Sequence, residues 1–138
     1  MQVFHPYKSA LKSIQCLDNS RMGKQRLECI QILLANNNID TEWEVPKSVP
    51  PHKNVVLWKN YSGYLFYYLG ILLNEWEDRG MKNFVCRGMY EKLRNIYGLQ
   101  ENTKRPRFID NKFIQTQRLS LLNKKMEHYY KFFGKDLL

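Results

Sequence analysis

The chain has 138 residues, 43% of them hydrophobic and 25% charged, which fits one domain with a real core. Its net charge of +9 favours a polyanionic partner, nucleic acid first and an anionic membrane surface second. Cys16, Cys29 and Cys86 form no CxxC pair and His5, His52 and His128 are scattered. That pattern offers no zinc site and predicts small buried thiols in a reducing compartment.

Residues 1–4 read as a short extended segment ending before Pro6, followed by a helical turn from Lys8 to Ser13. The start lacks the basic and apolar regions of a signal peptide, so a soluble, cytoplasmic protein is expected. The first long helix runs from Asp18 to Ala35. Asp18-Asn19-Ser20 opens it as a capping cluster, and Asn36-Asn37-Asn38 stops it. On a helical wheel Met22, Cys29, Ile30, Leu33 and Leu34 share one side, with Leu27 at its margin. Arg21, Lys24, Gln25, Glu28 and Gln31 fall on the other, which reads as a solvated face laced by i,i+4 pairs. Arg26 points with the apolar set and needs a partner or a route to the surface. It either holds a phosphate or serves a buried carboxylate such as Glu75.

Residues 39–54 read as a loop, since Pro46, Pro50 and Pro51 forbid a helix, with Trp43 and Val45 pinning it to the body. From Val55 to Arg79 the pattern is helical, a short helix and then a long one broken near Ser62-Gly63. Its middle, from Tyr64 to Trp76, has no polar face and predicts the central core helix. Gly63 and Gly70 share a face where a neighbouring helix could approach, and Gly80 is the expected C-terminal cap. The apolar run Tyr64 to Leu73 is too short to span a bilayer. A third amphipathic helix covers Val85 to Tyr97, with Met89, Leu93 and Ile96 as its stripe and Gly98 closing it. After a loop over 99–111, a last helix from Lys112 to His128 carries Phe113, Leu121, Leu122 and Met126. The sum is an all-α fold in one compact domain, residues 1–138, expected as a monomer away from membranes.

The charge is uneven. From Thr103 onward there are nine basic residues (Lys104, Arg105, Arg107, Lys112, Arg118, Lys124, Lys125, Lys131 and Lys135) against Asp110, Glu127 and Asp136. One basic face follows, suited to DNA phosphates. The rings of Tyr129-Tyr130-Lys131-Phe132-Phe133 either contact unstacked bases or cap the core while the lysines reach for solvent. No Ser-His-Asp set, glycine-rich phosphate loop or carboxylate pair is present. The available chemistry is Glu28, its basic neighbours and the amino terminus, whose pKa near 7.7–8 leaves more neutral amine than a lysine. An amine beside a carboxylate is equipment for attack at a sugar C1′.

Three stretches resemble the pyrimidine-dimer DNA glycosylase family, of which phage endonuclease V is the type. They are Leu17-Asp18 with Arg21-Met22-Gly23-Lys24-Gln25-Arg26-Leu27-Glu28; His52 through Trp58 and Tyr61 to Glu75-Trp76-Glu77-Asp78-Arg79-Gly80; and Gln117-Arg118-Leu119 with Tyr130-Lys131-Phe132-Phe133-Gly134-Lys135. The resemblance is closest to a branch of phage and bacterial relatives. It implies a helical domain with its amino terminus threaded beside the first long helix, and a glycosylase/AP lyase working on damaged double-stranded DNA without metal or cofactor. Glu28 takes the place of the family's catalytic Glu, and Arg21 and Arg26 the place of its phosphate-holding basic residues. Because Gln2 is bulky, Met1 is expected to stay and to supply the amine. The candidate set is therefore Met1 and Glu28 for catalysis. Arg21, Lys24, Gln25, Arg26, Lys104, Arg105, Arg107, Arg118, Lys124, Lys125, Tyr130 and Lys131 are the DNA-binding candidates. The alternative is a non-catalytic nucleic-acid-binding or DNA-packaging protein that keeps the fold.

Overall fold

A computed structural model describes residues 2–43 and 51–134. The expectations on Met1, Val45, Pro46, Pro50 and Lys135 lie outside them. The described residues form seven helices and no strand: α1 (Ala10–Gln15), α2 (Asn19–Asn36), α3 (Lys53–Leu57), α4 (Ser62–Asp78), α5 (Phe84–Asn95), α6 (Asn111–Lys124) and α7 (Met126–Phe133). None is long and apolar enough to cross a membrane.

Asp18 opens α2 as its sequence suggests, its carboxylate accepting from the Arg21 amide at 3.4 Å. α4 is the central helix, packed against α1, α2 and α5, and it buries Leu65, Phe66, Tyr68, Leu69, Leu72 and Leu73. Gly70 lets Tyr90 of α5 approach: a Cβ there would stand 2.9 Å from the Tyr90 hydroxyl. Gly63 faces the Gln100–Asn102 loop rather than a helix. All three cysteines are free and buried, and burial pushes the Cys16 thiol up to about 12.

Three expectations change. The break before α4 falls at Trp58 to Tyr61, so Ser62 and Gly63 are already helical. α5 ends at Asn95, leaving Ile96 67% exposed, while Cys86 and Tyr90 join Met89 and Leu93 in the core. The last helix is two helices. Lys125, with φ −155° and ψ 76°, ends α6, and Met126 stands 54% exposed. The turn aims α7 back at α2: the Tyr129 hydroxyl donates to Asp18 Oδ1 and accepts from the Asp18 amide at 3.1 Å. Tyr129 and Phe133 are buried, whereas Tyr130 and Phe132 are 50% and 42% exposed. The aromatic run therefore divides, one pair capping the core and the other facing solvent.

The amino-terminal segment lies inside this frame with Val3, Phe4 and His5 buried and no strand beside it. Its backbone polar groups must still be paired. Side chains do this from both sides. Gln25 of α2 donates to the Gln2 carbonyl at 2.6 Å and accepts from the Phe4 amide at 2.9 Å. Gln117 of α6 donates to the Val3 carbonyl at 3.0 Å and accepts from the His5 amide. Tyr68 donates to the Phe4 carbonyl at 2.6 Å, and Arg118 to the Pro6 carbonyl at 2.7 Å. In an extended chain alternate residues point their polar groups to opposite sides, so each glutamine reads every second residue as a neighbouring strand would. His5 is held between Tyr64, 2.7 Å from Nε2, and the Tyr7 carbonyl beside Nδ1. Burial, aided by the Arg105 charge, lowers its pKa to about 4, so the ring is neutral and Tyr64 donates to it.

Two outcomes follow. Gln117→Leu strands a buried carbonyl and a buried amide, and is expected to lower stability by roughly 3 kcal/mol in urea unfolding. Between pH 6.5 and about 4 the unfolded chain protonates His5 while the native state does not. Stability is therefore full above pH 6.5 and falls on acidification through that window, by about 3 kcal/mol from this group. His5→Gln is expected to flatten that part of the pH–stability curve relative to the native protein.

Candidate nucleic-acid interface and reactive centre

α2 presents Arg21, Gln25 and Glu28 at spacings of four and three, hence on one face. The amino-terminal segment lies on that face. Gln25, expected on a solvated surface, is consequently buried and committed to Gln2 and Phe4. Glu28 has one oxygen on each side of the arrangement. Oε2 accepts from the Gln2 backbone nitrogen at 2.6 Å, and Oε1 from Arg21 Nη2 at 3.3 Å. Both side chains of this ion pair are largely shielded, at 13% and 14% exposure. The Arg21 guanidinium also stands over the Phe4 ring, 5.3 Å from its centroid. The carboxylate is thus one residue from position 1 and is oriented by a cation.

Arg21 reaches from Glu28 into a cleft of about 290 Å³ that it lines with Asp18, Ser20, Lys24, Lys124, Lys125 and Tyr129. Four cations meet one carboxylate there, and that carboxylate is already engaged. Burial raises the Asp18 pKa, but hydrogen bonds from Tyr129 and the Arg21 amide, with the charges of Lys125 and His128, outweigh it. The group is held below its ordinary value. Lys125 Nζ lies 3.7 Å from Asp18 Oδ2. The cleft is therefore net positive and suited to phosphate oxygens.

The other basic candidates lie elsewhere. Lys104 and Arg107 are exposed on the loop before α6. Arg105 donates to the Lys8 carbonyl at 3.2 Å. Arg118 bonds the Pro6 carbonyl and stands over the rings of Tyr7 and Phe133. Tyr130 and Lys131 are exposed on α7. Among the described residues no group of three His, Cys, Asp or Glu side chains converges as metal ligands do.

Arg26 points inward, as the wheel places it, but meets no carboxylate among the described residues. Its guanidinium lies over the Trp76 ring at 4.3 Å, and Nη1 donates to Asn83 Oδ1 at 2.7 Å and to Cys86 Sγ at 3.3 Å. Nε is buried without a hydrogen-bond partner among the described residues. Glu75, the acid suggested for it, pairs with Arg79 one turn along α4 at 3.2 Å. Gly23 permits the Trp76 stack, since a Cβ there would stand 3.2 Å from the indole. Arg26 therefore ties α2 to α4 and α5.

Gln117 and Tyr129 appear in the sequence only within a family-like stretch and an aromatic run, and their individual partners are not legible there. Each acts on backbone or on a cap at the far end of the chain, and nothing local marks either. A family model described as pyrimidine dimer DNA glycosylase matches residues 1–84, the part that carries Gln2, Arg21, Gln25 and Glu28. No curated protein and no solved structure matches the chain.

Arg26→Ala is expected to lower stability by about 2 kcal/mol through the lost stack and hydrogen bonds. The salt dependence of DNA binding should stay near native, because the guanidinium does not line the basic cleft. Arg21→Ala should reduce that dependence by about one unit of log–log slope.

Proposed function

Because the chain belongs to the pyrimidine dimer DNA glycosylase family, whose members bind DNA and excise damaged bases, we propose that it is a base-excision enzyme with both glycosylase and AP lyase steps. Its substrate is DNA carrying pyrimidine-dimer-type damage. The observation that carries the reading is the 2.6 Å contact between the Gln2 nitrogen and Glu28 Oε2. It supports an amino-terminal amine, on Met1 next to Gln2, working beside this carboxylate.

The duplex lies on the Arg21–Lys24–Lys124–Lys125 cleft and the damaged nucleotide leaves the stack. The neutral amine attacks C1′, the N-glycosidic bond breaks, and the base departs with its electron pair and takes up a proton. Glu28 stabilises the cationic sugar and assists ring opening as the amine nitrogen and C1′ form an imine. Loss of a C2′ proton expels the 3′ phosphate by β-elimination. Water finally hydrolyses the imine and frees the amine. Arg21, on the other carboxylate oxygen, keeps Glu28 facing the amine.

Borohydride reduction with abasic-site or dimer-containing duplex is expected to trap one covalent adduct on the Met1 peptide, identified by mass. Glu28→Gln should cut its single-turnover formation by about 10²- to 10⁴-fold while leaving duplex binding in place. Native protein that binds this DNA and gives no adduct would favour a non-catalytic binding role instead.

A further inference from the structure

A second basic cleft lies where the amino-terminal segment runs into α1. Lys8 and Lys12 line it with Asn111, Gln115 and Arg118 of α6, around a volume of about 520 Å³. Both lysines are exposed, and no carboxylate of the described residues is within ion-pair distance of either. Asp110, next to the lining in sequence, turns its carboxylate to the Phe113 amide at 2.9 Å. Arg105, bonded to the Lys8 carbonyl, sets a further guanidinium beside it.

The two clefts belong to one surface. Asn111, Gln115, Arg118, Leu121 and Lys125 recur at three- and four-residue spacing, so one face of α6 and its C-terminal cap line both. Along that face the midpoints of the two linings are roughly 13 Å apart at the helical rise of about 1.5 Å per residue. One strand of B-DNA advances about 3.4 Å per nucleotide, so the separation matches roughly four nucleotides. Beneath that surface a buried aromatic contact links them: Tyr129 of the first cleft stacks on Phe133, which packs edge-on against Tyr7 of the second.

We infer that this second cleft holds the DNA backbone roughly four nucleotides from the phosphates of the first cleft, to one side of the reacting nucleotide, with Lys8, Lys12 and Arg118 lining it. The inference rests on the excision reading above for what sits at Glu28. Phosphate contacts of this kind set register without reading sequence. With the flanking duplex anchored on one side only, the lesion is approached from a fixed direction.

The test is equilibrium binding of the full chain to a duplex carrying one tetrahydrofuran abasic analogue, across about 50 to 200 mM salt. Lys8→Glu with Lys12→Glu is expected to lower affinity about tenfold and the log–log salt slope by about two. Lys8→Arg with Lys12→Arg should restore both. Shortening one arm of the duplex, and not the other, should weaken the native protein while leaving the doubly acidic variant unaffected. An unchanged slope, or equal sensitivity to both arms, overturns the inference even if the amine adduct forms. A reduced slope and one-sided arm dependence without an adduct sustains the cleft and removes the excision reading. Native protein that binds no duplex removes both.

Discussion

A polypeptide drawn through the core of a helical domain has nowhere to place its amides and carbonyls, because helices satisfy their own. The arrangement around Glu28 depends on how that demand is met for residues 2–6. Gln25 and Gln117 supply a donor and an acceptor each, at the spacing a β-strand would offer, from helices on opposite sides. Glu28, Tyr68 and Arg118 take the remaining groups of the run that have partners. The carboxylate that faces the start of the chain is thus one member of a larger set of side chains serving the backbone. Its position is fixed because its neighbours' positions are.

The same economy explains the three faces of α2. Toward α4 and α5 it carries Met22, Cys29 and Ile30 with Arg26, whose charge is tolerated on the Trp76 face with Asn83 as acceptor. Toward the amino-terminal segment it carries Arg21, Gln25 and Glu28. Lys24 remains exposed and joins the cations of α6. Arg21 connects two of these roles, since it pairs with Glu28 and also lines the basic cleft. A phosphate drawn to that cleft therefore sits beside the guanidinium that orients the carboxylate.

The helices that carry strong local signals were legible in the sequence. Asp18 caps α2 where its type and place suggest, and the unbroken apolar run from Tyr64 gives the central helix. The break at Lys125 was not legible: no glycine or proline marks it, and the contact it allows, between Tyr129 and Asp18, lies far off in the sequence. Ile96 fits the α5 stripe by spacing alone, but the helix stops one residue before it. Glu28 emerged through the family resemblance, and the inward direction of Arg26 through periodicity. The roles of Gln25 and Gln117 escaped because their partners are backbone atoms, which a sequence does not distinguish. A wheel shows which side of a helix is polar; it does not show whether water or another segment lies there.

The glutamine clamp also sets an order of assembly. Gln25 precedes the middle of the chain, but Gln117 lies 112 residues beyond the His5 amide it receives, and Tyr129 lies 111 beyond Asp18. Contacts of such separation carry the entropic cost of closing most of the chain into a loop. During synthesis the first residues made must wait for residues 117 and 129 before these two contacts can form. A fragment ending at residue 84 would carry Gln2, Gln25 and Glu28 yet leave one side of the threaded segment without its partner. The residues of the proposed reactive centre are written in the first quarter of the sequence, but the threaded segment has both its glutamine partners only once α6 is in place.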